Sequence, residues 1–410
     1  MVLGAGAGEL VATFAAPASS PFAVVGGALI DLAPSWAKDT AIAWFGTSDK
    51  AALLVGIAVV LLVVAGLAGL AEARWRHSGV VAFAALGIGA GLLGLTRTDA
   101  GMLAWLPSVL AGAVAAFALR MLLGILPSVV PVPSVVPVPA LRPQVDPTSA
   151  GRITGASTSG RANRPADEAG TSRRRFLTWT IGTAAIGVAM AVVGGLGRAG
   201  STVVTTVREA LKLPKPATPA PAIPASASLD VPGITPVITP NADFYRIDTA
   251  LVVPSVDPSS WKLRIHGMVA QEVTLTWDEL RALPLVESVA TLSCVSNEVG
   301  GDLIGNAVWL GYPIRELLKR AAPDADADMV LSTSVDGFTA GTPLEALTDD
   351  RAALLAIGMN GQPLPLEHGF PVRMVVPGLY GYVSATKWVT DLEVTRFDRA
   401  RAYWTDRGWS

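Results

Sequence analysis

The stretch TLSCVSNEVGGDLIGNAVW, residues 291–309, contains Cys294, the single cysteine in a chain of 410 residues. The residues before Cys294 alternate between apolar and polar as in a β-strand, and Gly300 and Gly301 follow it in a loop. A lone cysteine is most often a small buried apolar residue, so any other role for Cys294 has to be argued from its surroundings. One cysteine forms no internal disulfide, and the fold therefore depends on its apolar core.

The composition indicates a membrane protein with an attached globular part. The chain is 51% hydrophobic and 16% charged, which is too apolar for an ordinary soluble domain. A net charge of −2, without a basic stripe interleaved with aromatic residues, argues against a nucleic-acid partner.

Five apolar stretches in the first half are predicted to cross the membrane as helices. The clearest, residues 51–71, has no polar side chain over about the 20 residues that a bilayer requires. The others are residues 2–16, 79–95, 102–126 and 176–196. The first is short and is followed by Pro17.

Arginine placement predicts the orientation of these helices. Arg74 and Arg76 follow the second stretch, and residues 127–175 carry seven arginines. Because loops rich in arginine stay in the cytoplasm, the chain after residue 196 is predicted to lie outside. The expected location is therefore the cell membrane, multi-pass, with an extracytoplasmic catalytic domain.

The sequence SRRRFLT, residues 172–178, stands directly before the last apolar stretch. Arginines in this position are common topology signals, but the Ser-Arg-Arg-x-Phe-Leu pattern resembles a twin-arginine export signal. That pathway exports folded proteins, so the pattern indicates a protein that acquires a cofactor before export. The stretch has no clear small-residue cleavage site and is predicted to remain as an anchor.

The domain boundaries follow from these segments and from the Pro/Ala-rich composition after residue 212. They are predicted as 1–126 for transmembrane helices, 127–171 for a cytoplasmic Pro/Arg-rich linker, 172–197 for the signal and last anchor, 198–228 for an extracytoplasmic linker, and 229–410 for a globular domain. In that domain strands and helices follow one another without regular alternation, which predicts an α+β fold. Thr276 and Glu279 predict a capping box, and Asn360-Gly361 predicts a hairpin turn.

Five motifs in this domain together resemble the sulfite oxidase-type molybdopterin oxidoreductases. The resemblance is closer to the membrane-associated bacterial branch of this family and to the catalytic subunit of the periplasmic methionine sulfoxide reductase. The motifs are TPNADFYRID (239–248), LSCVSNEVGG (292–301), LGYPIRELL (310–318), VDGFT (335–339) and EHGFPVRMVVPGLYGYVSATKW (367–388). The resemblance covers nearly the whole domain. It implies the fold of that family, a molybdopterin cofactor and oxidoreductase activity.

The resemblance also implies a set of site residues. Cys294 would be the protein ligand to molybdenum, and a soft thiolate suits this metal. The residues implied to contact the cofactor are Asn241, Phe244, Tyr245, Arg246, Thr333, His368, Arg373, Ala385, Thr386 and Lys387. Within this set, the guanidinium of Arg373 and the ammonium of Lys387 are suited to a phosphate group, together with backbone N–H groups of residues 385–387.

Each assignment has a structural alternative. Arg373 would serve equally in a structural ion pair, His368 in a turn, and Phe244 and Tyr245 in the core. Two further hypotheses concern the whole protein: a cysteine-nucleophile enzyme with Cys294 activated by His266 or His368, and a metal-free binding or sensor module.

The sequence departs from the sulfite oxidases where a substrate oxyanion would bind. The family has arginines just after the ligand cysteine, whereas here the sequence continues as CVSNEVGG with Glu298. Oxygen-atom transfer with a neutral S-oxide or N-oxide is therefore expected, with sulfite oxidase-like oxidation as the alternative.

The electron supply is expected to come from another protein. One cysteine and three histidines predict neither an iron–sulfur cluster nor a bis-histidine haem within this chain. A separate electron-transfer partner, a membrane haem protein or a quinone-linked protein, is therefore expected. The short segment after Lys387 leads us to expect no dimer of the sulfite oxidase type.

Overall fold

The computed structural model describes residues 1–16, 19–34, 37, 40, 44, 49–96, 101–125, 166–199, 202–229 and 231–409. Most of the predicted linker at 127–171 lies outside the described residues. Two regions are described: an apolar helical region up to residue 199 and a mixed domain of helices and sheets after it. The predicted α+β fold class is confirmed.

Four helices of the apolar region contain segments long and apolar enough to cross a membrane: Ala52–Arg74, Ser78–Leu95, Leu106–Ile125 and Arg174–Gly195. The helices described here are α1 (Val2–Ala15), α2 (Pro21–Leu32), α3 (Asp49–Arg74), α4 (Ser78–Leu95), α5 (Leu106–Ile125) and α6 (Ala166–Ala199). The twin-arginine segment is part of α6.

The first of the five predicted spans is not among these four: residues 2–15 form a shorter apolar helix, and a span there stays a prediction. Helix α1 has 14 residues and, at about 1.5 Å per residue, is shorter than the roughly 30 Å hydrocarbon core of a bilayer. Its buried residues are mostly small: Gly4, Gly6, Ala7, Gly8 and Ala12. A Cβ atom on Gly6 would collide with the carbonyl oxygen of Gly187 in α6, and one on Gly8 would lie 2.8 Å from the carbonyl oxygen of Pro107 in α5. Glycines therefore allow α1 to pack between two longer helices.

The domain consists of two five-stranded sheets. Its strands are β1 (Lys262–Gly267), β2 (Val273–Thr276), β3 (Val286–Ser293), β4 (Ile304–Pro313), β5 (Met329–Ser334), β6 (Thr339–Pro343), β7 (Leu354–Met359), β8 (Gln362–Pro363), β9 (Arg373–Val375) and β10 (Val389–Thr395). One sheet has the order β2-β1-β10-β5-β6, with β1 parallel to β10. The other has the order β3-β4-β7-β8, and β9 pairs with β7.

Short-range sequence signals are confirmed in this domain. The Thr276 side chain accepts from the Glu279 backbone N–H and the Glu279 carboxylate accepts from the Thr276 N–H, so the capping box forms at the start of helix α8 (Trp277–Ala282). Asn360 and Gly361 have φ angles of 52° and 77° and connect β7 to β8, as the predicted hairpin turn requires.

Two buried apolar clusters hold the sheets and helices together. Helix α9 (Ile314–Ala321) buries Ile314, Leu317, Leu318 and Ala321, which recur on one face at helical spacing. Burial of each large aliphatic side chain contributes about 1.5–3 kcal/mol. The second cluster contains Phe244, Leu292, Trp309 and Phe370 and lies directly behind the residues of the candidate site.

Part of the segment predicted as an extracytoplasmic linker lies against the domain. Helix α7 (Thr202–Ala210) buries Val204 in the second apolar cluster, and Arg208 donates from Nε to the Leu364 carbonyl (2.7 Å) and from Nη2 to the Pro363 carbonyl (3.0 Å). Further along, Thr218 forms a parallel bridge with Val286 at the edge of β3. The chain therefore contacts the domain soon after the end of α6.

These contacts predict that Arg208→Ala destabilises the domain. Two hydrogen bonds from a charged donor are lost, and the free energy of unfolding should fall by about 1–3 kcal/mol. Thermal unfolding of the full-length protein in detergent measures the change. Glu209→Ala, at the exposed neighbouring position, is the control and should have little effect. Equal melting temperatures for Arg208→Ala and the wild type would show that α7 is not part of the cooperative unit.

Candidate active site

Cys294 is half-buried at the junction between β3 and a closed loop. Its N–H donates to the Leu303 carbonyl (2.9 Å), and its carbonyl accepts from the Asn297 N–H (3.1 Å). The Asn297 side chain in turn accepts from the Leu303 N–H (2.8 Å), so the two ends of the loop are fastened together. The thiol is therefore fixed at the base of the loop rather than enclosed in the apolar core.

Tyr245 lies beside this thiol. A Cβ atom placed on Gly381 would have as its nearest neighbours the Tyr245 hydroxyl, the Ser293 carbonyl and the Ala385 Cβ, all at 3.7–3.8 Å. Burial raises the pKa of Tyr245 to about 12; the nearby Arg373 opposes this increase and the Cys294 thiolate adds to it. The Tyr245 hydroxyl consequently keeps its proton at neutral pH.

Phe244 has the structural role that the sequence left open. It stacks on Tyr245 with ring centroids 5.3 Å apart and meets Trp309 and His368 edge-on at 5.8 and 5.5 Å. It belongs to the second apolar cluster. Phe244 therefore supports the site from behind.

His368 is buried and neutral. Its Nε2 donates to the Asn241 carbonyl (3.3 Å). Burial, together with the nearby cations Arg373, Lys387 and Arg246, lowers the pKa of His368 to about 3, although the Asn241 hydrogen bond opposes the decrease. The Asn241 side chain points to the β7–β8 turn, where it accepts from Asn360 Nδ2 (2.8 Å).

Arg373 is the central cation of the site. It is 5% exposed, and its guanidinium donates only to main-chain carbonyls, those of His368 (3.1 Å), Met374 (3.4 Å) and Ala385 (3.4 Å), in the part of the chain that the structure describes. It also lies over the Trp309 ring at 5.1 Å. Burial lowers the pKa of Arg373 to about 10, which leaves it charged at neutral pH. The structural ion pair that the sequence allowed is not found among the described residues, and a buried cation without an anionic partner is suited to bind an anion.

Lys387 and Arg246 share a carboxylate that the sequence reasoning missed. Asp248 Oδ2 lies 2.5 Å from Lys387 Nζ and 2.8 Å from Arg246 Nε. Lys387 also donates to the Glu367 carbonyl (2.9 Å) and lies over the Trp388 ring. Burial lowers the pKa of Lys387 to about 8 although Asp248 opposes the decrease. Asp248 is the last residue of the motif TPNADFYRID, two residues after Arg246, but its partner Lys387 lies near the other end of the domain sequence.

Ala385 and Thr386 were expected to offer backbone N–H groups to a phosphate, but their contacts in the structure are different. The Ala385 N–H donates to the Gly381 carbonyl (2.9 Å), so it is not available as the phosphate donor that was expected there. The Thr386 hydroxyl is fully buried and lies 2.7 Å from the Ser332 hydroxyl on β5. Ser332 is a second contact that sequence reasoning missed.

Thr333 is not brought to the site. It is the neighbour of Ser332 on β5, and successive residues of a strand point to opposite faces. Thr333 pairs across the sheet with Asp391, which is the partner of His266 (2.9 Å). A contact between Thr333 and the cofactor therefore has no support from the geometry.

The cysteine-nucleophile hypothesis lacks a base. His266 is bonded to Asp391 on the other sheet, and His368 donates to the Asn241 carbonyl. Among the described residues, neither histidine has a hydrogen bond to Cys294.

Comparisons with known proteins agree with this arrangement. Residues 250–404 match the family described as oxidoreductase molybdopterin binding domain. An uncharacterised oxidoreductase of Bacillus subtilis, YuiH, is 31% identical over 169 residues, which are 41% of this chain and 82% of that protein. Mitochondrial sulfite oxidase of mouse is 34% identical over 197 residues, 42% of this chain and 35% of the relative. A candidate protein-methionine-sulfoxide reductase subunit of Azospira oryzae, YedZ1, is 33% identical over 165 residues, 38% of this chain and 57% of the relative.

The buried His368 predicts a pH dependence of stability. Its pKa is about 3 in the folded protein against 6.5 ordinarily, so the unfolded chain binds a proton that the folded chain does not. The free energy of unfolding should therefore be highest above pH 6.5 and fall toward pH 3, by at most about 1.4 kcal/mol per pH unit. His368→Gln should make this slope shallower in cofactor-free protein, measured as the melting temperature between pH 7.5 and 5. The same slope in variant and wild type would contradict the neutral, buried assignment.

Proposed function

Because this chain belongs to the sulfite oxidase-type molybdopterin oxidoreductases, we propose that it is a membrane-anchored, extracytoplasmic enzyme of oxygen-atom transfer that reduces S-oxides or N-oxides, with Cys294 as the ligand to molybdenum. The observation that carries the proposal is the meeting of a half-buried thiol, a protonated Tyr245 and a buried Arg373 without an anionic partner among the described residues.

The residues present fit a large anionic cofactor. Three cations lie near His368, and each of them lowers the pKa of His368: Arg373, Lys387 and Arg246. Only Arg373 has no carboxylate bonded to it among the described residues, and its planar fork is suited to a phosphate. Arg373 and Lys387 would hold the phosphate end of molybdopterin, and Tyr245 and Ala385 would line the path from there to Cys294.

When bound, the cofactor supplies a molybdenum centre that exchanges an oxygen atom with the substrate in a two-electron step. The soft thiolate of Cys294 is the side chain suited to such a metal, and a bound metal would keep it deprotonated. Tyr245, with a pKa of about 12, remains a hydrogen-bond donor over the physiological range. It would be available to donate to a substrate oxygen atom bound between it and the thiol.

The loop after Cys294 favours a neutral substrate. Residues 295–297 carry no charge, and Glu298 is exposed beyond them, so the nearest charge on this loop is negative. A sulfite dianion would meet no cation there, whereas a neutral sulfoxide needs none. The name of the Azospira oryzae relative refers to a protein sulfoxide, which agrees with this substrate class.

The proposed sidedness depends on α6 and the arginines before it. Residues 127–175 carry seven arginines, and Arg174–Gly195 is long and apolar enough to cross once. The argument holds with four spans as well as with five. Exposed Trp75 and Trp179 lie near the arginine-bearing ends of α3 and α6, and exposed Trp105 precedes α5 at the other end, as expected for the two interfaces of a membrane.

A separate electron-transfer partner is part of the proposal. The three histidines of the sequence lie in different parts of the molecule and bond to Arg120, Asp391 and Asn241, respectively. A membrane haem protein or a quinone-linked protein would supply the two electrons.

Replacement of the proposed ligand tests the metal site. The wild type should contain about one molybdenum per chain, and Cys294→Ser should lose the thiolate-to-metal absorption in the visible spectrum, with turnover at least roughly 100-fold lower. Elemental analysis and absorption spectroscopy measure both. Ser296→Ala, at an exposed position of the same loop, is the matched control. A wild type without molybdenum would favour the metal-free binding module, and an unchanged spectrum in Cys294→Ser would exclude this ligand.

The substrate class is tested with reduced viologen as the electron donor. Two viologen radicals and two protons convert one sulfoxide into a sulfide and water, and this rate should exceed the rate with any oxyanion. Glu298→Arg should increase turnover of anionic substrates by several-fold, because it reverses a charge worth about 1 kcal/mol at an exposed position. Faster sulfite oxidation with a ferric acceptor, without sulfoxide turnover, would establish the sulfite oxidase-like alternative instead.

A further inference from the structure

Asp248 stands where two cations of the site meet. Its carboxylate is 5% exposed and accepts from Lys387 Nζ (2.5 Å) and from Arg246 Nε and Nη2 (2.8 and 3.4 Å). The other carboxylate nearby, Asp336, is electrostatically coupled to both Asp248 and Lys387, and burial raises its pKa. Its carboxylate accepts from the Phe338 N–H (3.3 Å) within its own turn. Asp248 is thus the carboxylate that directly joins Lys387 to Arg246.

We propose that Asp248 is a positioning residue for the anionic cofactor, because it holds the Lys387 ammonium charged and fixed beside the site. The inference rests on the proposed function. It concerns a residue that would act on the cofactor through Lys387 rather than by contact.

The geometry explains why Lys387 needs this carboxylate. Its other contacts are the Glu367 carbonyl and the Trp388 ring, which accept hydrogen bonds or attract a cation but do not neutralise it. Arg373 and Arg246 are close enough to disfavour the charge on Lys387. A buried ammonium among cations loses its proton unless an anion is near. Without Asp248, the pKa of Lys387 would fall further and its ammonium would lose its fixed position, which makes it a weaker partner for a phosphate.

A simple charge argument gives the opposite expectation. Asp248 is negative, and removal of a negative charge near an anionic ligand would by itself strengthen binding. The two accounts therefore predict changes of opposite sign in Asp248→Asn. We expect the positioning effect to be larger. The Lys387 ammonium would contact the ligand directly, whereas Asp248 would repel the ligand only from behind Lys387.

The test is the rate at which purified full-length protein loses its cofactor on dialysis, followed as molybdenum by elemental analysis and as pterin by fluorescence after oxidation. Asp248→Asn should lose the cofactor at least tenfold faster than the wild type, and Asp248→Glu, which keeps the charge, should stay within threefold. Asp398→Asn is the matched control. It removes the carboxylate of an exposed Arg-x-Asp pair, Arg396–Asp398 (3.0 Å), and should leave the rate unchanged.

A double variant separates positioning from a general structural role and keeps the test valid if Asp248→Asn folds poorly. Asp248→Asn/Lys387→Met removes both charges of the buried Lys387–Asp248 pair, and Arg246, which also loses its carboxylate, is 35% exposed and remains solvated. Its loss rate should equal that of Lys387→Met alone, since Asp248 acts through Lys387. A further threefold acceleration in the double variant, slower loss in Asp248→Asn, or no rescue by Asp248→Glu would each overturn the inference.

Wild-type protein without molybdenum and pterin would overturn the proposed function together with it, whereas loaded wild type with equal retention in Asp248→Asn would overturn this inference alone.

Discussion

The arrangement of the site depends on one unusual constraint: the Arg373 guanidinium is buried, and in the described part of the chain only carbonyl oxygens accept its hydrogen bonds. A buried charge costs several kcal/mol unless it is paired, so the fold must hold Arg373 in place by other means. It does so with the His368 and Ala385 carbonyls and with the face of Trp309, which attracts a cation. His368 accordingly remains neutral, because burial disfavours its charged form and the nearby Arg373 would repel a second cation.

The segment 239–248 joins the two ends of the site. Asn241 holds His368, Phe244 fills the core behind it, Tyr245 reaches the thiol, and Asp248 reaches Lys387. The segment belongs to no strand, so its own backbone ladder does not fix it. Its position depends instead on contacts with the domain: the Thr239 N–H donates to the Asn306 carbonyl (2.9 Å), and the side chains of Phe244 and Asp248 insert into the domain.

Sequence patterns predicted the elements of the domain well, because their signals are local. The capping box at Thr276 and the turn at Asn360-Gly361 each depend on residues within a few positions. The family resemblance correctly grouped most of the residues that the structure brings together. On β5, however, it pointed to Thr333 and not to the neighbouring Ser332. Ser332 faces Thr386 whereas Thr333 faces the other side, and a shift of one residue reverses the face of a strand. The Asp248–Lys387 pair was missed because 139 positions separate its members.

Contacts between residues distant in sequence were also not predicted in the apolar region. Composition identifies apolar helices, but it does not show how they pack against one another, as α1 does against two longer helices through Gly6 and Gly8. Helix α2 packs against the end of this region, and a Cβ atom on its Gly26 would lie 2.6 Å from Leu251 Cδ1 in the globular domain. Leu251 follows Asp248 by three residues. The segment that organises the charged end of the site therefore continues directly into a contact with the helical region. Glycine at position 26 permits this approach, because a Cβ atom there would collide with the Leu251 side chain.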